Sequence, residues 1–169
     1  MDKTADYTIS TSLTQAQIQE LVTYSTSDSV LAKWTSDTSR FRSEEATNIW
    51  LQTNPEYIVL SDHEGGLLGI AWLQSKPIPE YVKLHVDLEV GTQYEKTSGI
   101  RLYGSARGKG LSKWFYTKLF EQFHSPYIWA QVSDDNTASK RLHEKMGFIQ
   151  VSKPDDHNKI ILVRDSHNN

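Results

Sequence analysis

Apolar residues recur along the chain with two different periods, and the switches between them divide the sequence into elements. Tyr7 and Ile9 alternate with polar neighbours and Leu13 continues the pattern less cleanly, which predicts a first edge strand over Tyr7 to Leu13. Thr14-Gln15-Ala16-Gln17 then reads as an N-cap and helix start, with Ile18, Leu21 and Val22 on one face, and the run Ser25-Thr26-Ser27-Asp28-Ser29 breaks that helix. Further helical stretches are predicted over Val30 to Trp34 and over Glu44 to Leu51, the second with Ala46, Ile49 and Trp50 as its apolar side. Pro55-Glu56 ends that region. Tyr57 to Leu60 is then expected to pair with Leu67 to Leu73 around Asp62-His63-Glu64-Gly65-Gly66, a hairpin pattern.

Residues Lys76 to Gln93 have two readings. Pro77 and Pro79 bar a regular central strand, while His85, Asp87 and Glu89 alternate with Val86, Leu88 and Val90, so the segment is either a strand with one wet face or a long connection. Lys96 to Tyr103 is predicted as a central strand, with Gly99 and Gly104 marking a bulge or a close backbone approach. A helix follows through Trp114, Phe115, Leu119 and Phe123, then a buried strand over Tyr127 to Val132. Ser133-Asp134-Asp135-Asn136 offers N-cap residues for a short helix over Thr137 to Met146, with Ala138, Leu142 and Met146 as its apolar stripe and Gly147 as its C-cap. Phe148 to Ser152 and Lys159 to Val163 look like a closing antiparallel pair, and Asp165 to Asn169 like a frayed tail.

The chemistry concentrates where the central strand gives way to a helix, at Ser105-Ala106-Arg107-Gly108-Lys109-Gly110-Leu111-Ser112. Two glycines at i and i+2 let the backbone turn sharply and bring several N–H groups to one point. The helix that starts there adds its first-turn donors and the positive end of its dipole, so the concavity suits phosphate oxygens. Gly104 to Gly110 is one residue short of a nucleotide P-loop and lacks the hydroxyl after lysine. The dinucleotide fingerprint fails as well, because it needs glycine at Lys113 and a place in a first βαβ unit. On its own the R-G-x-G fragment is equally compatible with a tight turn that holds no ligand.

Two stretches taken together resemble the GNAT superfamily, the GCN5-related N-acetyltransferases. Ser105-Ala106-Arg107-Gly108-Lys109-Gly110 is similar to the family pattern [QR]-x-x-G-x-[GA]. Asn136 to Phe148 is similar to N-x-x-A/S-x-x-L-Y-x-x-x-G-F, with Asn136, Ser139, Leu142, His143, Gly147 and Phe148 in register. The likeness is close over residues 97 to 152 and topological before that. Ser105 stands where the family has Gln or Arg, so pyrophosphate contact is expected to rely on main-chain donors. His143 stands where the family has tyrosine.

The resemblance implies a fold of the α/β (α+β) class: one domain over residues 1–169, a central mixed and mostly antiparallel sheet splayed at the cofactor strands, and helices on both faces. It implies acetyl-CoA as co-substrate, with its pyrophosphate on Arg107, Gly108, Lys109, Gly110, Leu111 and Ser112. Its pantetheine would lie beside Leu102 and Tyr103 and near Asn136 and Ser139. Main-chain N–H groups near Leu102 to Gly104 would hold the thioester oxygen. An amine would attack the thioester directly, with Glu95 as the first candidate base, Glu89 and His85 as backups, and His143 as a candidate acid. A lysine-like amine has a pKa near 10.4, so presenting it uncharged at neutral pH costs about 4 kcal/mol, whereas a thiol of pKa about 8.5 leaves as thiolate without a donor. Asn136 is equally a helix cap, and Lys109 and Lys113 meet the 3′-phosphate or water. The early helices would form a wall of the acceptor site, with Trp34, Arg40, Phe41 and Arg42 near it.

Composition narrows the partners. A length of 169 residues, 37% hydrophobic and 23% charged, suits one globular domain. A net charge of −3 gives no electrostatic footprint for nucleic acid. Zero cysteines remove disulfides and thiol nucleophiles, and the six histidines show no metal-binding spacing, so no metal is expected. No apolar run approaches a membrane span and Met1 to Asp6 is not a signal peptide, so a cytoplasmic protein with no membrane partner is expected. The acceptor is a small-molecule or protein amine, and the protein a monomer or homodimer. A catalytically weak acyl-CoA-binding or regulatory module of the same fold is the alternative, and an unrelated α/β nucleotide binder a remoter one.

Overall fold

Thr14 fixes the start of the first helix. Its side chain accepts from the Gln17 N–H at 3.2 Å, and the Gln17 side chain accepts from the Thr14 N–H at 3.0 Å, a reciprocal capping box that satisfies two otherwise orphaned donors. The computed structural model describes residues 4, 6–35, 39–83 and 93–166. Within them run strand β1 (Thr8–Ser10), helices α1 (Gln15–Ser27), α2 (Ser29–Trp34) and α3 (Glu44–Gln52), strands β2 (Glu56–Ser61) and β3 (Leu67–Ser75), and the short helix α4 (Glu80–Lys83). Strand β4 (Lys96–Leu102), helix α5 (Leu111–Gln122), strand β5 (Tyr127–Ser133), helix α6 (Thr137–Lys145) and strands β6 (Ile149–Gln150) and β7 (Lys159–Asp165) complete the order.

The seven strands form one open sheet in the order β1-β2-β3-β4-β5-β7-β6. It is mixed, as expected: β1 with β2, β5 with β7 and β6 with β7 are antiparallel, and β4 with β5 is parallel. The parallel ladder is recorded at Lys96↔Ile128 and Thr97↔Trp129, the first two residues of β4. The β5–β7 ladder, by contrast, runs from Tyr127↔Asp165 to Ser133↔Lys159.

Contacts divide the chain into two compact units, Met1–Trp72 with Ile100–Leu119 and Leu73–Gly99 with Phe120–Asn169. The first is centred on Leu21, Phe41, Trp50, Val59, Leu67, Ile70, Trp72 and Tyr103. Phe41, expected near an acceptor wall, is fully buried there and meets Trp50 and Trp72 edge-on at 5.0 and 5.8 Å. The Arg40 guanidinium lies over Trp72 at 4.9 Å, and Trp34 takes Lys33 over its ring at 4.5 Å. The second unit is centred on Ile78, Val82, Tyr94, Trp129, Ile161 and Val163, with the Trp129 indole N–H donating to the Lys76 carbonyl at 2.7 Å.

Several boundaries differ from the sequence reading. The polar run from Ser25 does break the helix, at Asp28: α1 runs to Ser27, α2 opens at Ser29, and the Thr26 and Ser27 hydroxyls bond carbonyls of the preceding turn. The hairpin turn is held by Asp62, whose Oδ1 accepts from the N–H groups of Glu64 and Gly66 at 3.0 and 2.8 Å. After Ser75, Lys76 and Ile78 donate to the Glu95 and Tyr94 carbonyls at 2.8 Å each, so the proline segment makes alternate bonds without forming a regular strand. Asp165 ends β7 rather than opening a tail. His85, Asp87 and Glu89, the N-terminus Met1 to Lys3 and the last residues 167–169 lie outside the described residues.

Candidate cofactor loop and catalytic helix

Strand β4 ends at Leu102, and the backbone then makes a 3-10 turn over Gly104–Ala106, with Ala106 N–H donating to Tyr103 O at 3.0 Å and Arg107 N–H to Gly104 O at 3.2 Å. Gly108 and Gly110 follow with φ of +74° and +76°, and Gly104 has +39°. An added Cβ would meet nothing within 4 Å at any of the three, so the left-handed backbone, and not lack of room, requires glycine here. Ala106 and Leu111 are buried, while Gly108, Lys109 and Gly110 are exposed and Ser112 half-buried. The loop is thus anchored by an apolar residue before and after it and turns its main chain to solvent at the start of α5.

Two side chains at this loop are engaged within the protein. Arg107 does not point outward: its guanidinium forms a two-pronged ion pair with Asp28, and its Nε donates to the Leu102 carbonyl at 2.8 Å. The pair holds the Asp28 carboxyl below its usual range, chiefly through the hydrogen bond from Arg107. Tyr103, expected beside the pantetheine, is 1% exposed and its ring stacks on Tyr24 at 5.1 Å. Its N–H donates to the Leu68 carbonyl at 2.8 Å, so this amide of the Leu102 to Gly104 stretch already has an acceptor. Burial raises the pKa of its hydroxyl, outweighing the neighbouring Arg101 and Ser25 side chains, which lower it.

Sequence reasoning missed two residues that shape the loop. Asp28 was hidden in a polar run, although an Asp before Ser-Val-Leu-Ala is an N-cap pattern: Oδ1 accepts from Val30 and Leu31 N–H at 3.0 and 3.1 Å. Gly69 in β3 is a point of close backbone approach, whereas Gly104 has open space around it; a Cβ at Gly69 would lie 2.7 Å from the Arg101 carbonyl oxygen. A lone glycine inside an apolar strand was the available signal.

The second group of candidates lies on α6. Asn136 caps this helix, its Oδ1 accepting from the Ser139 N–H at 3.1 Å, and Gly147 ends it with φ of +83°. Ala138, read as part of the buried stripe, is exposed, whereas His143 is 4% exposed. The imidazole can be buried because Nδ1–H donates to the Ser139 carbonyl at 2.8 Å and the ring packs edge-on against Phe148 at 5.0 Å. Burial lowers its pKa, outweighing the hydrogen bond to Ser139, so the ring is neutral at neutral pH.

Glu95, the candidate base, directly precedes β4 and is exposed. Its backbone is fixed on both sides, the N–H donating to Gln93 O at 2.9 Å and the carbonyl accepting from Lys76 N–H at 2.8 Å. Among the described residues no group of three His, Asp or Glu side chains is placed to hold a metal ion, and no helix is long and apolar enough to cross a membrane.

Comparison with known proteins places this arrangement. No curated protein matches the sequence significantly. Solved structures match the fold: a phosphinothricin acetyltransferase of Sinorhizobium meliloti in complex with acetyl-CoA is 17% identical with a TM-score of 0.66, covering 95% of this chain and 88% of that one. A ribosomal-protein-alanine N-acetyltransferase of Brucella melitensis is 18% identical with a TM-score of 0.68, covering 94% and 99%. A GCN5-related N-acetyltransferase of Kribbella flavida is 14% identical with a TM-score of 0.70, covering 95% and 98%. The model of the acetyltransferase (GNAT) family matches residues 24–148. With its strand, left-handed glycine loop and helix in the family's order, and with more than half its length matched, the chain belongs to the acetyltransferase (GNAT) family of acyltransferases.

Proposed function

We propose that the protein is an N-acetyltransferase that moves the acetyl group of acetyl-CoA to a primary amine. The observation that carries this reading is the pair Gly108 and Gly110, left-handed and exposed at the start of α5, in a chain of the acetyltransferase family. Backbone N–H groups there meet an anion without a Cβ in the way and gain from the helix dipole, which fits a pyrophosphate. Arg107 contributes its main chain and Lys109 an exposed positive charge, with Leu111 and Ser112 opening the helix. Leu102 and Tyr103 border the pantetheine path, and Asn136 and Ser139 are assigned to the same cofactor on the family pattern.

Acetyl-CoA supplies an activated thioester: the amine nitrogen forms the new C–N bond, the C–S bond breaks, and the thiolate departs. The amine's proton is the harder one to move, by about 4 kcal/mol at neutral pH. Glu95 takes it directly or through water, which its exposed position allows. His143 is assigned a packing role rather than that of acid, since donation would need the charged ring that burial disfavours. The fold relatives are named for phosphinothricin and for a ribosomal-protein alanine, and the acceptor is assigned to the amine class without further choice.

The test is calorimetric titration of acetyl-CoA into the wild type and Gly110→Glu, followed by turnover with a panel of small amines and N-terminal peptides. Binding to the wild type alone, with acetyl transfer to at least one amine, is expected. Binding without transfer to any amine would favour an acyl-CoA-binding module, a reading that the neutral His143 at the tyrosine position supports.

A further inference from the structure

Arg107 sits in the middle of the loop, yet its guanidinium is engaged within the first unit. Nη2 lies 2.7 Å from Asp28 Oδ2, Nη1 donates to Asp28 Oδ1 at 3.0 Å, and Nε donates to the Leu102 carbonyl at 2.8 Å. The side chains are only 31% and 13% exposed for Arg107 and Asp28, so water screens the pair less than it would a surface ion pair. Asp28 is itself fixed by two helices: its N–H donates to Tyr24 O at the end of α1, and its Oδ1 receives the first amides of α2.

We infer that Asp28 is a positioning residue for acetyl-CoA binding: through Arg107 it ties the α1–α2 junction to the last carbonyl of β4 and holds the glycine loop in its binding conformation. The inference rests on reading that loop as the acetyl-CoA site. Arg107 then serves the clamp and not the phosphates. A guanidinium that swung out to a phosphate would leave a shielded carboxylate without its counter-charge and the Leu102 carbonyl without its donor, and both losses oppose the move. The loop glycines give the backbone many alternatives when nothing holds it, and the clamp removes them before the ligand arrives.

The experiment is titration of acetyl-CoA, with steady-state kinetics, for the wild type, Asp28→Ser, Asp28→Asn, Arg107→Gln and the double variant Asp28→Ser/Arg107→Gln. Serine caps α2 as well as aspartate does, so Asp28→Ser removes the clamp and keeps the helix start. The expected result is a Kd raised about tenfold in Asp28→Ser and Arg107→Gln alike, with no further rise in the double variant. KM for acetyl-CoA should rise with kcat nearly unchanged, which a general loss of structure would not give. Asp28→Asn, which keeps Oδ1 for the cap and for one bond to Arg107, should fall between, and it carries the test should the serine variant fail to fold. Undiminished or tighter binding in Asp28→Ser or Asp28→Asn, with weakened binding in Arg107→Gln, would make Arg107 a phosphate ligand and overturn the clamp alone. A wild type that does not bind acetyl-CoA would overturn the cofactor reading itself.

Discussion

His143 donates its Nδ1–H to the carbonyl of Ser139, one helical turn earlier, at 2.8 Å. That bond satisfies the ring inside the protein, but it does not keep the ring charged, because burial lowers the pKa more than the bond raises it. In the unfolded chain the group titrates near 6.5. Between the folded and unfolded values the unfolded chain binds more protons, so the stability present above pH of about 6.5 is lost as pH falls through the folded pKa. His143→Gln should therefore flatten the fall in thermal midpoint between neutral and mildly acidic pH relative to the wild type. Parallel curves would show that the ring is not held neutral. At pH of about 8 the same variant should keep kcat within about fivefold, whereas a loss of about 10²-fold or more would restore the role of general acid.

Gly69 has no room for a methyl group. Its Cβ would stand 2.7 Å from the Arg101 carbonyl oxygen and 2.7 Å from Leu102 Cδ2, and the first of these is backbone that cannot step aside. Gly69→Ala should cost about 1–3 kcal/mol, read as a lower urea midpoint. It should also weaken acetyl-CoA binding, because the displaced strand end leads straight into the glycine loop.

Gly108→Ala tests the opposite situation, open space with a demanding backbone. With φ of +74° and nothing within 4 Å, alanine should cost about 1 kcal/mol through conformation alone. In a chain of this size that is a fall in Tm of about 2–4 °C. A neutral or stabilising result would mean that the loop relaxes out of the left-handed region.

Gln17 is 6% exposed and joins three elements. Besides accepting from Thr14, its amide donates to Ser61 Oγ at 2.9 Å and to the Gly65 carbonyl at 3.0 Å, so it fastens α1 to the β2–β3 hairpin. Gln17→Met keeps the length and loses the bonds, and should cost about 2 kcal/mol, measured by chemical denaturation.

What could be read from the sequence was local. The reciprocal cap of Thr14 and Gln17, the Asp62 turn with its glycines and the left-handed Gly147 are all fixed by residues within a few positions of each other, and the strand, loop and helix of the cofactor site fall where the pattern put them. What could not be read depends on partners far along the chain. Asp28 and Arg107 are 79 residues apart, so no window of sequence shows that the arginine has a carboxylate waiting for it. The buried side of α6 was misjudged for a related reason. The apolar stripe put Ala138 inward, whereas the buried position belongs to His143: a ring whose N–H bonds its own helix no longer needs water, and Phe148 supplies the surface that covers it.

The proline segment has a consequence for how the protein behaves among copies of itself. Lys76 and Ile78 spend their N–H groups on Glu95 and Tyr94, and the residue after each, Pro77 and Pro79, has none to offer. Successive amides in an extended chain point to opposite sides, so the side away from Tyr94 and Glu95 presents no donor at these prolines. A strand approaching on that side would find no donor at either proline, so a continuous ladder of hydrogen bonds cannot form along it.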